Sequence, residues 1–212
     1  MRIGVLGTGV VGQTLGSGLV GLGHEVILGA RDANNPKAVE WAAGAGERAS
    51  AGTFADAAEF AELIVLATLW EGTENALSLA GHDRFAGKTV IDTTNPLVFG
   101  DAVPSLALGW NDSAGEQVQR WLPDAQVVKA FNIVGAPHMV HPALPGGSPD
   151  MFIAGDDETA KAAVTDILTA FGWSTIDIGG IAGSRLLEPL CILWVLYGAQ
   201  TGTWNHAFKL LR

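Results

Sequence analysis

Three features of the sequence predict an α/β protein, with a Rossmann-type doubly wound, mainly parallel sheet over residues 1–180 and a small helical C-terminal region over residues 181–212. A G-x-G-x-x-G run stands between an apolar strand and a helix. Apolar strand-like runs then alternate with helical patterns as far as Ile178, the signature of a mostly parallel sheet. Beyond that point the alternation stops and an almost unbroken apolar run, Leu190 to Tyr197, takes over.

The opening unit runs from Arg2 to Asp32. Ile3, Val5 and Leu6 make the strand, Gly7-Thr8-Gly9-Val10-Val11-Gly12 follows at once, and Leu15, Leu19, Val20 and Leu22 continue at helical spacing. Gly23-His24 stops that helix before a second apolar run, Val26-Ile27-Leu28. Strand, glycine turn, helix and strand together form the unit that binds a dinucleotide. Gly7 permits the tight turn, Gly9 admits a pyrophosphate close to the backbone, and Gly12 lets the helix pack on its strand. Backbone N–H groups and the positive end of the helix dipole at Val10 and Val11 supply an anion site.

An NAD site usually places an acidic side chain at the end of the second strand, on the ribose hydroxyls. Here Gly29 or Ala30 stands at that end and Arg31 comes next. Small residues followed by a guanidinium leave room for a ribose 2′-phosphate and offer it charge-assisted hydrogen bonds. NADP is favoured over NAD; a slip of two residues, moving Asp32 into the acidic slot, is the alternative.

Composition narrows the function classes. Hydrophobic residues make up 48% of the 212 and charged ones only 16%, ample for a buried core. A net charge of −10 disfavours nucleic acid and anionic membranes as partners, since both need basic patches. The single cysteine, Cys191, excludes an internal disulfide framework and a multi-cysteine metal site, and its apolar neighbours mark it as a core residue. With a strand beginning at residue 2 there is no room for a signal peptide, and the expected location is cytoplasmic.

The remaining elements follow in order. Pro36 to Gly46 has a proline start, an alanine-rich body and a glycine stop, and reads as a helix. Phe54 to Ala61 is a second short helix, with Asp56, Glu59 and Glu62 on its solvated face. Leu63 to Ala67 is a buried strand ending in Thr68-Leu69-Trp70, Gly72 to Ala80 a helix, and Lys88 to Asp92 a strand ending in Thr93-Thr94-Asn95-Pro96. Ligands of open α/β sheets bind at such carboxyl ends. Leu97 to Asn111 loses all periodicity and reads as an excursion over that edge. Ser113 caps a helix to Leu122, with Glu116 as capping-box partner. Gln126 to Ala130 is a strand, and Phe131 to Pro137 is its carboxyl-end loop. His138 to Pro149 is irregular again, Met151 to Gly155 a strand, Asp157 to Phe171 a helix and Thr175 to Ile178 the last strand. The apolar helix around Leu190 to Tyr197 contains Pro189 and, at a dozen or so residues, falls short of the roughly 20 that span a bilayer. It must bury itself against the sheet or a second subunit, which makes a homodimer plausible. Trp204 to Phe208 forms a terminal turn or helix.

These residues, taken together, resemble the F420-dependent NADP reductases, whose NADP-binding domain is shared with the oxidoreductase domain of the six-transmembrane metalloreductases. The likeness rests on Gly7 to Gly12, Gly29-Ala30-Arg31, Thr68-Leu69-Trp70, Asn95-Pro96-Leu97, Lys129 to Ala136, Gly155-Asp156-Asp157 and Ser184-Arg185-Leu186-Leu187-Glu188, and it covers nearly the whole chain. The resemblance implies hydride transfer between NADP(H) and the deazaflavin coenzyme F420, the latter in a cavity beside the helical C-terminal region. It implies that Gly7, Thr8, Gly9, Val10 and Val11 hold the pyrophosphate and Arg31 the 2′-phosphate. Thr68, Leu69 and Trp70 would flank the nicotinamide-side ribose, with Ala136 facing the carboxamide. Family members more often carry serine or threonine where this chain has Ala30.

Direct hydride transfer between two rings needs alignment and dryness rather than an acid, base or nucleophile, so no catalytic side chain is assigned. The histidines His24, His82, His138, His141 and His206 lack metal-ligand spacing, and no metal is expected. Asn95 and Asn132 each end a strand at the ligand edge and are read as ribose or ring contacts. Pro96 and His206 are candidates for the second-substrate cavity. Arg185 and Glu188 read as an ion pair at i, i+3; Trp194 reads as core, and Trp70 as either ring-stacking or core. Two function classes result. The first is an NADP(H)-dependent oxidoreductase whose hydride partner is F420, a flavin or a small carbonyl or imine compound. The second is a non-catalytic NADP(H)-binding redox sensor or partner subunit. A cleft for a tricyclic ring beside the nicotinamide position is expected for the enzyme.

Overall fold

In the computed structural model, which describes residues 1–100 and 104–211, the chain first lays down β1 (Arg2–Leu6), α1 (Val10–Gly21), β2 (Glu25–Ala30), α2 (Pro36–Ala45), β3 (Ala49–Thr53), α3 (Phe54–Phe60), β4 (Leu63–Leu66), α4 (Trp70–Ala80) and β5 (Thr89–Asp92). After β6 (Leu97–Val98) and β7 (Ser105–Leu106) come α5 (Ala114–Trp121), β8 (Gln126–Lys129), β9 (Asp150–Gly155), α6 (Glu158–Ala170), β10 (Ser174–Asp177) and α7 (Ser184–Thr201). One eight-stranded sheet runs β10-β9-β8-β5-β4-β1-β2-β3. The six strands from β8 to β3 are parallel; β9 meets β8 antiparallel and carries β10 parallel to itself. The chain order reverses between β1 and β4, which opens a crevice outside their carboxyl ends.

Alternation along the strands builds a core on each face. Ile3, Val5, Leu63 and Val65 point to one side, where α1, α2 and α6 supply Leu15, Leu19, Trp41, Val164 and Leu168. Leu6, Ile64 and Leu66 point to the other, against Phe54 and Ala57 of α3, Leu77 of α4 and Val118 of α5. Each fully buried leucine, isoleucine or valine of this kind contributes about 1.5–3 kcal/mol. The caps agree with the sequence: Asn35 caps α2 through its side chain, Ser113 accepts from the Glu116 N–H at α5, and Asp157 accepts from the Ala160 N–H at α6.

Several expectations need correction. β3 has no counterpart among the predicted strands, because Ala-Ser-Ala-Gly-Thr buries only Gly52 and carries no apolar alternation; pairing with β2 makes it a strand. The excursion 97–111 contains an antiparallel pair, β6 with β7; its residues 101–103, like residue 212, lie outside the described ones. Residues 203–211 form no helix. They run irregularly beside β9, where Phe208 O accepts from Asp150 N and Leu210 N donates to the Asp150 carboxylate. The apolar helix is longer than expected. α7 has 18 residues and passes through Pro189, which forgoes one intrahelical bond in the second turn. With its 3₁₀ lead-in, Ile181–Thr201 is long and apolar enough to cross a bilayer by length and composition (mean hydropathy 1.3), although 39% of the window is buried. Nor do Arg185 and Glu188 pair. Arg185 reaches Glu116 of α5, with Nε donating at 2.8 Å, while Glu188 turns into the protein. Residues at i, i+3 on a helix lie close enough to meet, but partners on neighbouring elements compete better here.

Candidate functional site

Because the strands from β3 to β8 are parallel, their carboxyl ends share one edge, and that edge collects almost every candidate of the sequence. The β1–α1 turn, Arg31 after β2, Thr68 to Trp70 after β4, Thr93 to Pro96 after β5 and Phe131 to Ala136 after β8 stand in a row along it.

At the β1–α1 turn the glycines have separate reasons to be there. Gly7 has φ +127° and donates to Gly29 O at 3.1 Å; a Cβ on it would strike the Ala67 carbonyl. A Cβ on Gly12 would strike the Gly7 carbonyl. Gly9 differs from both. Its φ of −74° suits any residue, it is exposed, and a Cβ there would meet nothing within 4 Å. Neither backbone strain nor packing calls for glycine at that position. Val10 beside it is 70% exposed, and the first helical N–H groups lack intrahelical acceptors, as at any helix start. Thr8 gives its carbonyl to Gln13 Nε2 at 3.0 Å.

β2 ends at Ala30, which is buried, and Arg31 is exposed just beyond it. Asp32 is drawn into its own turn, accepting from Asn34 N at 2.9 Å. After β4, the Thr68 hydroxyl lies 2.9 Å from that of Thr73, and Leu69 is 87% exposed at the start of α4. The Trp70 indole is stacked on Trp121, centroids 5.5 Å apart, and packs on the core of that face. Pro96 is buried.

Asn95 and Asn132 are brought together across the β5 and β8 ends. Asn95 Nδ2 donates to Asn132 O at 2.8 Å, and Asn132 Nδ2 donates to Asn95 Oδ1 and to Leu187 O, each at 3.0 Å. Asn132 follows Phe131, a buried residue held at φ 62°, a backbone region that costs a bulky side chain energy and tends to occur at functional sites. Ala136, nearly buried, opens a 3₁₀ turn behind Gly135, whose Cα faces Trp194 of α7. His206 is not on the edge row. It stacks on Trp194 (centroids 4.8 Å apart, 25° between planes), has the edge of Tyr197 against it, and places Nε2 2.9 Å from Trp194 O. His138 and His141 likewise find separate partners, Asn205 and the Phe171 ring. A groove of about 620 Å³ lined by Gln13, Ser17, Gly21, Trp41, Val140 and His141 shares no residue with the edge row, so it is not the expected tricyclic-ring cleft. Among the described residues no cluster of three or more His, Cys, Asp or Glu could hold a metal ion. Burial pushes the Cys191 thiol up to about 12, which leaves it protonated and unreactive.

Sequence reasoning missed a charged centre behind the row. Lys129, at the end of β8, is fully buried with Nζ 2.8 Å from Asp92 Oδ2 and 3.0 Å from Glu188 Oε1. Burial pulls the Lys129 ammonium down, but the two carboxylates outweigh it and leave its pKa above the ordinary value. Burial raises the Glu188 carboxyl, against the pull of Lys129. The signal was present: a lysine inside Val-Val-Lys-Ala and a glutamate inside Leu-Leu-Glu-Pro-Leu sit in runs that will be buried, and buried charges must pair.

Residues 2–96 match the family model described as NADP oxidoreductase, coenzyme F420-dependent. The structure of a candidate F420-dependent NADP reductase from Arthrobacter sp. FB24 is 40% identical, covers 100% of both chains and superposes with a TM-score of 0.94. The F420-dependent NADP reductase of Methanothermobacter marburgensis is 32% identical over 99% of this chain and 98% of its own. The rat metalloreductase STEAP3 is 31% identical over 89% of this chain, which spans 36% of that protein. The chain therefore belongs to the F420-dependent NADP reductase family, a family of NADP oxidoreductases.

Proposed function

We propose that the chain passes a hydride between NADP(H), bound along the carboxyl edge, and a second redox small molecule, with coenzyme F420 the first candidate and a flavin or a small carbonyl or imine compound next. One observation carries the reading: Gly9 is a glycine that its own protein does not need, set at a helix start where an anion is favoured. Glycine there is explained by a pyrophosphate lying against the backbone.

Gly7 to Gly12 would hold the pyrophosphate through the α1 N–H groups, and Arg31 the 2′-phosphate. With Ala30 at the strand end and Asp32 occupied at Asn34, no acidic side chain competes for that phosphate, which supports NADP over NAD. The β4, β5 and β8 ends would then receive the nicotinamide half: Thr68 and Leu69 beside the ribose, Asn95 and Asn132 below the ring, Ala136 toward the carboxamide. The Trp70 indole, already stacked on Trp121, would contribute backbone rather than a ring face. When bound, the nicotinamide supplies the hydride itself. The residues of the chain would align it and shield it from water during hydride transfer; the proton that completes reduction of F420, a flavin, a carbonyl or an imine would come from solvent, with no side chain assigned to it. Residues 181–212 would act as a lid and dimer element on the binding unit 1–180, and Pro96 and His206 would border the second-substrate cavity. Exposed Leu186, Leu193 and Tyr197 on α7 support a homodimer, and the ties of α7 to α5 and β8 through Arg185 and Glu188 support a cytoplasmic rather than a membrane setting.

The test is stopped-flow oxidation of NADPH with F420 and then FMN as acceptor, beside titrations with NADPH and NADH. Rapid oxidation with F420 is expected. Tight NADPH binding with no acceptor reduced would favour the sensor reading instead, and failure to bind either nucleotide would overturn both.

A further inference from the structure

The Asp92–Lys129–Glu188 centre ties together elements far apart in sequence. Lys129 Nζ donates to the Thr94 carbonyl at 2.8 Å and pairs with the Asp92 and Glu188 carboxylates at 2.8 and 3.0 Å. The other oxygen of Asp92 accepts from Thr94 N and Thr94 Oγ1 at 2.8 and 2.7 Å, so Thr93 to Asn95 is held by both charges. Glu188 caps α5 from outside, accepting from Ala114 N and Gly115 N at 3.0 Å each. One residue earlier on α7, the Leu187 carbonyl accepts from Asn132, which also holds Asn95. Two turns further along α7, Trp194 stands against Gly135. The bonds of this network run among α7, the start of α5, the last residues of β5 and β8, and the segments that follow those two strands.

A centre of this kind is a poor device for stability alone, because a buried ion pair can often be replaced by packed apolar side chains at no loss. What a lysine held between two carboxylates does provide is a single geometry. The geometry is imposed on the Thr93–Pro96 and Phe131–Ala136 segments, and the β1–α1 turn and Arg31 lie outside the network. We propose that Lys129 and Glu188 are positioning residues, which lock these two segments onto α7 and thereby orient the nicotinamide half of the bound dinucleotide without contributing to capture of its adenosine half.

The inference rests on the NADP(H) reading, so the wild-type protein is titrated first with NADPH and with adenosine 2′,5′-bisphosphate, which carries the 2′-phosphate half without the nicotinamide. If neither binds, the reading of the site fails before this proposal is reached. With binding in hand, Glu188→Gln should leave the bisphosphate Kd within twofold while weakening NADPH at least fivefold and abolishing the enhancement of nicotinamide fluorescence on binding. A triple Asp92→Asn/Lys129→Met/Glu188→Leu variant, which removes all three charges and refills the volume, should show the same split. Parallel loss of both ligands would overturn the proposal, as would unchanged NADPH affinity and emission in a variant that melts like the wild type. Failure of both variants to fold would also overturn it, since the centre would then be holding the fold rather than the ring.

Discussion

The two ends of the candidate crevice are built in opposite ways. The β1–α1–β2 end is made of backbone, and all of its parts lie within Arg2 to Asp32: a glycine at φ +127°, a glycine with open space beside it, a helix start and an exposed arginine. The β5–β8–α7 end is made of side chains, and its bonds join residues 37, 55 and 74 positions apart. A phosphate needs only N–H groups and positive charge, which a tight turn supplies locally. A ring that must face a second reactant needs orientation, which takes walls from several elements.

The contrast can be broken or sharpened by substitution. The largest effect is expected at Lys129→Met, which leaves Asp92 and Glu188 buried without their cation; thermal or denaturant melts should show a loss of about 3–5 kcal/mol. Smaller on binding, and absent from stability, is Arg31→Ala. It should weaken NADPH by roughly 1.5–3 kcal/mol while barely changing NADH, and equal losses for both would show that Arg31 does not read the phosphate. Next comes Gly9→Ala. Its φ and its surroundings accept a Cβ, so the melting temperature should hold while NADPH binding falls about tenfold, close to 1.4 kcal/mol; retained affinity would remove the main support for a pyrophosphate at the turn.

The smallest effect is one of pH. Hydrogen bonding from Arg185 holds the Glu116 carboxyl below its ordinary value of 4.5. A depressed carboxylate stabilises the fold above its unfolded pKa and loses that contribution as pH falls through the folded one. Glu116→Gln should therefore flatten the acid limb of a stability profile below about pH 4.5, with little change at neutral pH, and an unaltered limb would mean that the α5–α7 contact does not depend on this pair.

The two ends were also unequally legible. The glycine turn, Arg31 and the strand ends could be read because each signal lies within one element or its immediate neighbour. The i, i+3 spacing, the only geometry one helix offers, pairs Glu188 with Arg185, whereas its bonds go to β8 and to the start of α5. Strand ends identify Asn95 and Asn132 as edge residues, but only the fold pairs them with each other. His206 reads in sequence only as a cavity candidate; its stack with Trp194 comes from the tertiary structure.

By itself the sequence determined the parallel sheet, the glycine turn between β1 and α1 and the arginine just past β2, because periodicity, glycine conformation and strand ends act over a few residues. Only the tertiary structure decided that a small-residue segment would become β3, that α7 would run on through Pro189, and that a lysine, an aspartate and a glutamate would meet behind the carboxyl ends of β5 and β8. Each of those depends on what lies opposite in space: a strand edge with hydrogen bonds to give, a sheet and helix against which to bury an apolar face, and opposite charges that make burial of the others tolerable.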